Sequence, residues 1–358
     1  MEPRDLSALS PYVPGRGVEE VARDLGLDPA DLVKLSSNEN PLGPSEAVVD
    51  AIREAATSVH VYPKASHADL TAAIAEAWGV ADEQVWVGPG ADGALDYLAR
   101  TCLEPDDTVL VPDPGFAYYG MSARYHHAEV ETYPLERDDG FAQTADRVLD
   151  AYDGERIVYV TSPHNPTGSV MPREEILTLL DGVDDHTLVV VDEAYGEFSD
   201  EPPCADLLDA HDNLAVTRTF SKAYALAGLR LGYALVPPEW ADAYARVNTP
   251  FAASEVACRA GLAALDDDEH LERSVSVARR SRELLHDGLN AKTWDSGGNF
   301  VLAEVGDATA VYEAAQREGV IVRDCSSFGL PACVRISCGT VEETERAVET
   351  INGILAEA

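Results

Sequence analysis

Short, wholly apolar segments alternate with stretches of helical periodicity, and this alternation constrains the fold more than any other feature of the chain. The apolar segments centre near positions 85, 109, 158, 188, 215 and 232, and helical patterns cover residues 45–58, 67–78 and 91–103. Strands that are apolar on both faces are typical of parallel sheets with helices packed on each side. The sequence therefore predicts an α/β fold built on a mainly parallel sheet.

The length of 358 residues favours two lobes over one. A long helical stretch over residues 254–289 precedes apolar segments at 299–305 and 334–337, and this pattern predicts a smaller C-terminal lobe. We expect an N-terminal arm (1–35) that packs with the small domain, a large domain (36–248) and a small C-terminal domain (249–358).

Lys222 is the most informative single residue. The chain has lysines only at positions 34, 64, 222 and 292, and Lys222 lies among small and apolar residues between two apolar segments. Loss of hydration there would disfavour the charged ammonium, and the free amine is a nucleophile toward carbonyl groups. Schiff-base chemistry is one interpretation; the alternative is a lysine whose stem packs while its ammonium reaches solvent.

Residues upstream favour the first interpretation. Asp192 ends the apolar run that starts at Val189, Tyr195 follows three residues later, and Asn165 lies in a Pro/Gly-rich loop after another apolar run. A pyridoxal phosphate enzyme needs a carboxylate that keeps the pyridine nitrogen protonated and donors that hold the ring oxygen. Asp192 suits the first role, and Tyr195 and Asn165 suit the second.

A phosphate site is predicted where Gly88-Pro-Gly90-Ala91-Asp92-Gly93 joins an apolar run to a helical pattern, because a helix N-terminus binds anions. The same glycines occur in dinucleotide-binding proteins, but Pro89 interrupts that fingerprint and such a site leaves Lys222 without a role.

A nucleoside triphosphatase is excluded because no Gly-Lys-Ser/Thr loop is present. No metal site is predicted: His-Glu-x-x-His is absent, and His126 and His127 read as a surface stretch.

In order along the chain, the motifs Gly-Ala-Asp, Asn-Pro-Thr-Gly, Asp-x-x-Tyr, Ser-Lys and Arg230 resemble those of the fold-type I pyridoxal phosphate aminotransferases. The segments at 10–15, 35–43, 61–63, 218–230 and 334–340 are similar to the histidinol-phosphate aminotransferase family within that superfamily. The resemblance spans almost the whole chain. It implies a three-layer α/β/α large domain with a mostly parallel seven-stranded sheet, plus a smaller α+β domain.

The resemblance also implies roles for individual residues. Lys222 would be the nucleophile and proton carrier, with Asp192 and Tyr195 as its catalytic companions. Phe116 would stack on the cofactor ring, although a core aromatic is an equally good interpretation of that position. Tyr62 would reach the phosphate from the other subunit of a homodimer. The remaining cofactor-phosphate residues would be Gly90, Ala91, Asp92, Ser221 and Arg230.

The implied reaction converts L-histidinol phosphate and 2-oxoglutarate to imidazole-acetol phosphate and L-glutamate, in histidine biosynthesis. Substrate binding would fall to Tyr12, Asn40, Arg323 and Arg335, since guanidinium groups suit phosphate and carboxylate alike. Two alternatives remain: the threonine-phosphate decarboxylases, which the segment 323–328 also resembles, and a broader aromatic amino acid aminotransferase. His164 departs from the family, which usually has a second Asn there. An inactive binding protein on this scaffold would be expected to lack Lys222, Asp192 or Arg230.

The formal net charge of −38, from 64 acidic and 26 basic residues, predicts a protein of a salt-rich cytoplasm. At about 1 M salt the screening length falls to roughly 3 Å, which relieves the mutual repulsion of such a surface. The charge argues against nucleic acid as a partner. No leader or membrane-spanning pattern is recognised, and six dispersed cysteines favour reduced thiols, so we expect a cytoplasmic enzyme whose partners are small molecules and a second copy of itself.

Overall fold

The structure, a computed structural model, describes residues 6, 9, 15–64 and 67–357. Its largest sheet has seven strands in the order β2-β8-β7-β6-β5-β3-β4. These strands are β2 (Val85–Gly88), β3 (Thr108–Asp113), β4 (Glu129–Pro134), β5 (Ile157–Thr161), β6 (Leu188–Asp192), β7 (Leu214–Thr219) and β8 (Gly232–Leu235). Strands β3 to β7 run parallel, and β8 is antiparallel to both of its neighbours. The predicted mostly parallel seven-stranded sheet is confirmed.

Helices cover both faces of this sheet, because its strands bury apolar side chains on both sides. Val189 and Val191 of β6 pack into one core cluster, and Leu188 and Val190 pack into another on the opposite face. The first face is covered by α2 (Glu46–Ala55), α3 (Ala68–Trp78), α6 (Ala145–Leu149), α7 (Arg173–Gly182) and α9 (Glu255–Leu265). The second is covered by α4 (Ala91–Cys102), α5 (Tyr118–Tyr125) and α8 (Ala241–Val247). The three-layer arrangement is therefore as predicted.

A second, four-stranded sheet has the order β12-β13-β10-β9 and antiparallel pairing. Its strands are β9 (Lys292–Thr293), β10 (Phe300–Glu304), β12 (Arg323–Asp324) and β13 (Cys333–Ser337). The accompanying helices are α10 (Asp268–Gly288), α11 (Ala308–Arg317) and α12 (Val341–Glu357). The chain's early segment joins this unit: α1 (Val18–Leu25) is followed by β1 (Val33–Lys34), which pairs with β11 (Val320–Ile321). The domain boundaries at 35 and 248 stay predictions.

Two details differ from the sequence-based expectation. The helical stretch 254–289 is two helices: the first ends at Leu265, and Asp267 caps the start of the second by accepting a hydrogen bond from the His270 amide. Strand β4 was not predicted; it lies at the sheet edge and is mostly exposed, so it lacks the apolar run of the central strands. Among the described helices, none combines the length and apolarity needed to span a bilayer.

Candidate active site

A cavity of about 310 Å³ lies where three parallel strands end. Thr161, Asp192 and Thr219 are the last residues of β5, β6 and β7, and all three line it. Ligands of open α/β sheets bind at the carboxyl ends of the strands, so the position agrees with the topology. The structure brings these predicted residues to the cavity: Ala91, Asp92, Phe116, Asn165, Asp192, Tyr195, Ser221, Lys222, Arg230, Arg323 and Arg335.

Lys222 follows β7 and projects into the cavity. Its Nζ donates a hydrogen bond to the Ser37 carbonyl at 3.2 Å and lies 5.6 Å from the centroid of the Tyr195 ring. Desolvation, followed by the nearby charge of Arg335, lowers the pKa of Lys222 to about 8. With this pKa roughly a tenth of the amine is uncharged at pH 7 and about half at pH 8, so the neutral form that a nucleophile and proton acceptor requires is accessible at mildly alkaline pH.

Asp192 is a buried carboxylate at the end of β6. Its Oδ2 accepts a hydrogen bond from the Tyr119 hydroxyl at 2.7 Å, and its Oδ1 accepts one from the Ala194 amide at 3.0 Å. Burial raises the pKa of Asp192 to about 6, while these hydrogen bonds oppose the rise. Above that pH the cavity holds a carboxylate able to pair with a protonated ring nitrogen.

Tyr195 and Asn165 both line the cavity, and each keeps a hydrogen-bond donor for a further acceptor. The Tyr195 hydroxyl accepts a hydrogen bond from Asn38 Nδ2 at 3.0 Å, which leaves the phenol proton for another acceptor. Asn165 accepts a hydrogen bond from Arg335 through Oδ1, so its amide nitrogen is the group that can donate. Arg335 also donates to the Ser36 carbonyl at 2.9 Å.

The phosphate end is formed by the start of α4 and by Arg230. Gly90 is the N-cap of α4, with φ 83°. Arg230 donates to Asp92 at 3.0 Å and to the Ser221 hydroxyl at 3.5 Å. A Cβ atom added to Gly90 would lie 2.5 Å from an Arg230 nitrogen, so the guanidinium leaves no room for a side chain at this position. Backbone N–H groups at a helix start and a guanidinium fit a phosphate group.

Arg323 and Arg335 reach the cavity from β12 and β13 of the second sheet. Arg335 is 5% exposed, and its guanidinium lies 5.3 Å from the centroid of the Phe300 ring. Arg323 donates to the Ser327 hydroxyl at 3.1 Å and lies 5.6 Å from the Phe328 ring centroid. The second sheet thus supplies two cations to a cavity that is also lined by residues near the strand ends of the large sheet and by Gly15 and the segment 36–38.

Of the remaining predicted residues, Gly90, Asn40 and Tyr62 do not line the cavity. Tyr12 falls outside the described residues. Asn40 does not line the cavity: its amide donates to the Ala223 carbonyl at 2.9 Å and to the Ser274 hydroxyl at 2.8 Å, which fixes the backbone beside Lys222 instead. Tyr62 is 80% exposed and stacks on Phe251 at 4.7 Å, away from this chain's own cavity.

Sequence reasoning missed Asn38. This residue is buried, and its backbone lies in the left-handed region (φ 53°). Its backbone N–H donates to the Ser337 hydroxyl, which in turn donates to Asn38 Oδ1, and Asn38 Nδ2 donates to the Tyr195 hydroxyl. The Asn38-Glu-Asn40 segment was the available signal, but the pattern did not show which asparagine faces the site.

His164, which departs from the family pattern, is fully buried, and its Nδ1 lies 2.8 Å from the Thr167 hydroxyl. Burial lowers the pKa of His164 to about 3, so the imidazole stays neutral.

Comparison with known proteins places these observations in context. Residues 30–351 match the family described as aminotransferase class I and II. A histidinol-phosphate aminotransferase of Haloferax volcanii is 68% identical over 357 residues, covering 100% of this chain and 99% of the relative. One from Haloarcula marismortui is 64% identical with the same coverage. The crystal structure of histidinol-phosphate aminotransferase from Sinorhizobium meliloti in complex with pyridoxal 5'-phosphate superposes with a TM-score of 0.89 at 27% identity, covering 99% of this chain and 97% of that one.

Proposed function

Because this chain belongs to the class I and II aminotransferases, we propose that it transfers an amino group from L-histidinol phosphate to 2-oxoglutarate with pyridoxal 5'-phosphate as cofactor. The products are imidazole-acetol phosphate and L-glutamate, a step of histidine biosynthesis. The observation that carries this proposal is the similarity over the full length to proteins named histidinol-phosphate aminotransferase at 61 to 68% identity. Aspartate aminotransferase of Thermus thermophilus has the same fold but is only 26% identical.

The residues of the cavity fit the cofactor. When bound, pyridoxal phosphate supplies an electron-withdrawing ring that stabilises the negative charge developing on the substrate carbon. Asp192 would hold the proton on the ring nitrogen, and Tyr195 and Asn165 would hold the ring oxygen. Phe116 would cover the ring face. The phosphate would be held by Gly90, Ala91, Asp92, Ser221 and Arg230, where the N–H groups at the start of α4 and the guanidinium converge.

Lys222 would provide the nucleophile and the proton transfer. The pKa of its amine is about 8, so above that pH Nζ is largely uncharged and can take a proton from the substrate carbon that bears the amino group. The Ser37 carbonyl holds the amine on the side of the cavity near Tyr195. Arg335 contributes by lowering the pKa of the amine, so it links substrate recognition to the proton-transfer group.

Arg335 and Arg323 would bind the anionic ends of both substrates. Planar guanidinium groups accept a phosphate or a carboxylate in similar geometry. Arg335 is held by Asn165 and Ser36, which fixes its guanidinium at the cavity wall, where it can pair with a carboxylate. Arg323 is the more exposed of the two and lies beside the Ser327 hydroxyl, an additional donor for phosphate.

The assembly would be a homodimer in the cytoplasm. Tyr62 stacks on Phe251 beside exposed Val59 (67%) and Val61 (58%), an apolar surface suited to burial against a second copy. Tyr62 would then reach the phosphate of the other subunit. All six cysteines are free and buried, as expected in a reducing compartment. We assign residues 1–35 to an arm on the small domain, 36–248 to the large domain and 249–358 to the small domain.

The proposal is tested by steady-state amino transfer in molar potassium chloride. Saturating 2-oxoglutarate is supplied, and kcat/KM is measured for L-histidinol phosphate, aromatic amino acids and aspartate, with carbon dioxide release from threonine phosphate measured in parallel. L-Histidinol phosphate should be preferred by at least tenfold. A higher kcat/KM for aromatic amino acids would favour the broad aminotransferase, and release of carbon dioxide from threonine phosphate would favour the decarboxylase. Equal activity and dimerisation in dilute buffer would contradict the salt adaptation.

A further inference from the structure

Tyr119, near the start of α5, is held rigidly beneath the cavity. Its ring stacks on that of Tyr159 with a centroid distance of 4.6 Å and an interplanar angle of 12°. The edge of Phe116 meets it at 5.5 Å. Both tyrosines are buried, so the Tyr119 ring has little freedom to turn away from the sheet ends.

The Tyr119 hydroxyl lies between two polar groups at adjacent strand ends. Thr161 and Asp192 are Cα partners in the register of β5 and β6. The Tyr119 oxygen is 2.7 Å from Thr161 Oγ1 and 2.7 Å from Asp192 Oδ2. A carboxylate only accepts, so the single phenol proton goes to Asp192 and the threonine hydroxyl must donate to Tyr119. The two hydroxyls form a directed chain that ends on the carboxylate.

This chain offsets part of the cost of burying Asp192. An unpartnered carboxylate in such a place would be neutral, because desolvation disfavours its charge. With Tyr119 on Oδ2 and the Ala194 amide on Oδ1, both oxygens have donors. Burial, then the charge of Asp192, raises the pKa of Tyr119 well above its ordinary value, so the phenol remains a donor throughout the working range.

We propose that Tyr119 is a positioning residue whose hydroxyl, oriented by Thr161, keeps Asp192 ionised and fixed so that it can hold the proton on the cofactor's ring nitrogen. This inference rests on the role of Asp192 in the proposed function. Tyr119 itself touches Asp192 and Thr161. Its effect on the reaction would therefore pass through the protonation of Asp192.

Tyr119→Phe and Tyr159→Phe provide a matched pair for the test. Each removes one phenol oxygen from the same stacked pair of rings. The Tyr159 hydroxyl is buried without a hydrogen-bond partner in the described part of the chain, so its removal should leave Asp192 unchanged. Thr161→Val removes the donor to Tyr119, and Thr161→Ser restores it.

Two measurements report on Asp192 without relying on turnover. The first is the dissociation constant of pyridoxal phosphate from pH 5 to 9, and the second is the ¹⁵N chemical shift of ring-labelled cofactor bound to each variant. In Tyr119→Phe the loss of affinity on the acid side should begin about 1 to 2 pH units higher than in the wild type, because a hydrogen bond to a charged group is lost. The ring-nitrogen shift should move toward that of the unprotonated ring. Thr161→Val should show a smaller change in the same direction.

The outcomes separate the inference from the function on which it rests. Identical profiles for Tyr119→Phe and Tyr159→Phe, whether both shifted or both unshifted, would overturn the role of the Tyr119 hydroxyl. Should Tyr119→Phe fail to fold, Thr161→Val and Thr161→Ser decide, and coincident profiles for these two overturn the proposal. An unprotonated ring nitrogen in the wild type would remove the assigned role of Asp192 itself. A ring nitrogen that is protonated in the wild type and in Tyr159→Phe but not in Tyr119→Phe supports both the role of Asp192 and that of the Tyr119 hydroxyl.

Discussion

Replacing Arg218 with methionine should lower the free energy of unfolding by about 3 to 5 kcal/mol, because it leaves two buried carboxylates without their cation. Arg218 Nη1 lies 2.5 Å from Glu193 Oε2 and Nη2 lies 2.8 Å from Glu197 Oε1, with side chains 4 to 8% exposed. The guanidinium also lies 4.3 Å from the centroid of the Trp78 ring. The two glutamates flank Tyr195, so this ion triad also anchors the segment that carries the phenol.

The assay is urea-induced unfolding in molar potassium chloride, where exposed ion pairs are screened and buried ones are not. Arg317→Met is the matched control: its partner Glu313 is 3.2 Å away, but the two side chains are 61% and 58% exposed. This control should change the free energy of unfolding by about 0.5 kcal/mol or less. Combining Arg218→Met with Glu193→Gln and Glu197→Gln should recover part of the loss, since no buried charge is then left unpaired. A cost for Arg218→Met below about 1 kcal/mol, no larger than that of the control, would show that the buried triad contributes no more than an exposed ion pair.

Three further predictions concern the cavity. Lys222→Ala should lower kcat by about 10²- to 10⁴-fold, and Lys222→Arg should not restore it, because an arginine cannot give up its proton; single-turnover amino transfer measures both. The rate at which the apo protein captures cofactor should rise with pH through about 8, where the amine of Lys222 becomes neutral, and should fall further below about 6, where protonation removes the charge of Asp192. Stopped-flow absorbance measures this rate, and a rate that does not change with pH would contradict the prediction. Gly90→Ala should reduce the preference for pyridoxal phosphate over pyridoxal, since its Cβ would meet Arg230 at 2.5 Å. Gly79→Ala, also at positive φ but with open space around it, should strain the backbone without changing that preference.

The large sheet was predictable because its central strands are apolar on both faces, a pattern that leaves few alternatives. Strand β4 escaped because an edge strand exposes most of its side chains. The break between α9 and α10 could not be seen in the sequence because helical periodicity continues on both sides of it. A single capping residue, Asp267, starts the second helix.

The lining of the cavity was predictable where the chemistry demands a residue type, as with Lys222, Asp192 and Arg230, whose roles stay predictions. It was not predictable where the role depends on contacts between distant segments. Asn38 contacts Tyr195 across 157 residues, and Tyr119 contacts Asp192 across 73. In the sequence Tyr119 is one aromatic residue of a short helix, and nothing local marks its hydroxyl as the donor to a buried carboxylate.

The most direct test of the account is a single half-reaction in molar salt. Holoenzyme is mixed with L-histidinol phosphate without a keto acid, the visible absorbance band of the bound cofactor is followed, and the products are quantified. We predict that the band is lost and that one equivalent of imidazole-acetol phosphate forms per site. An unchanged band with no imidazole-acetol phosphate would contradict it.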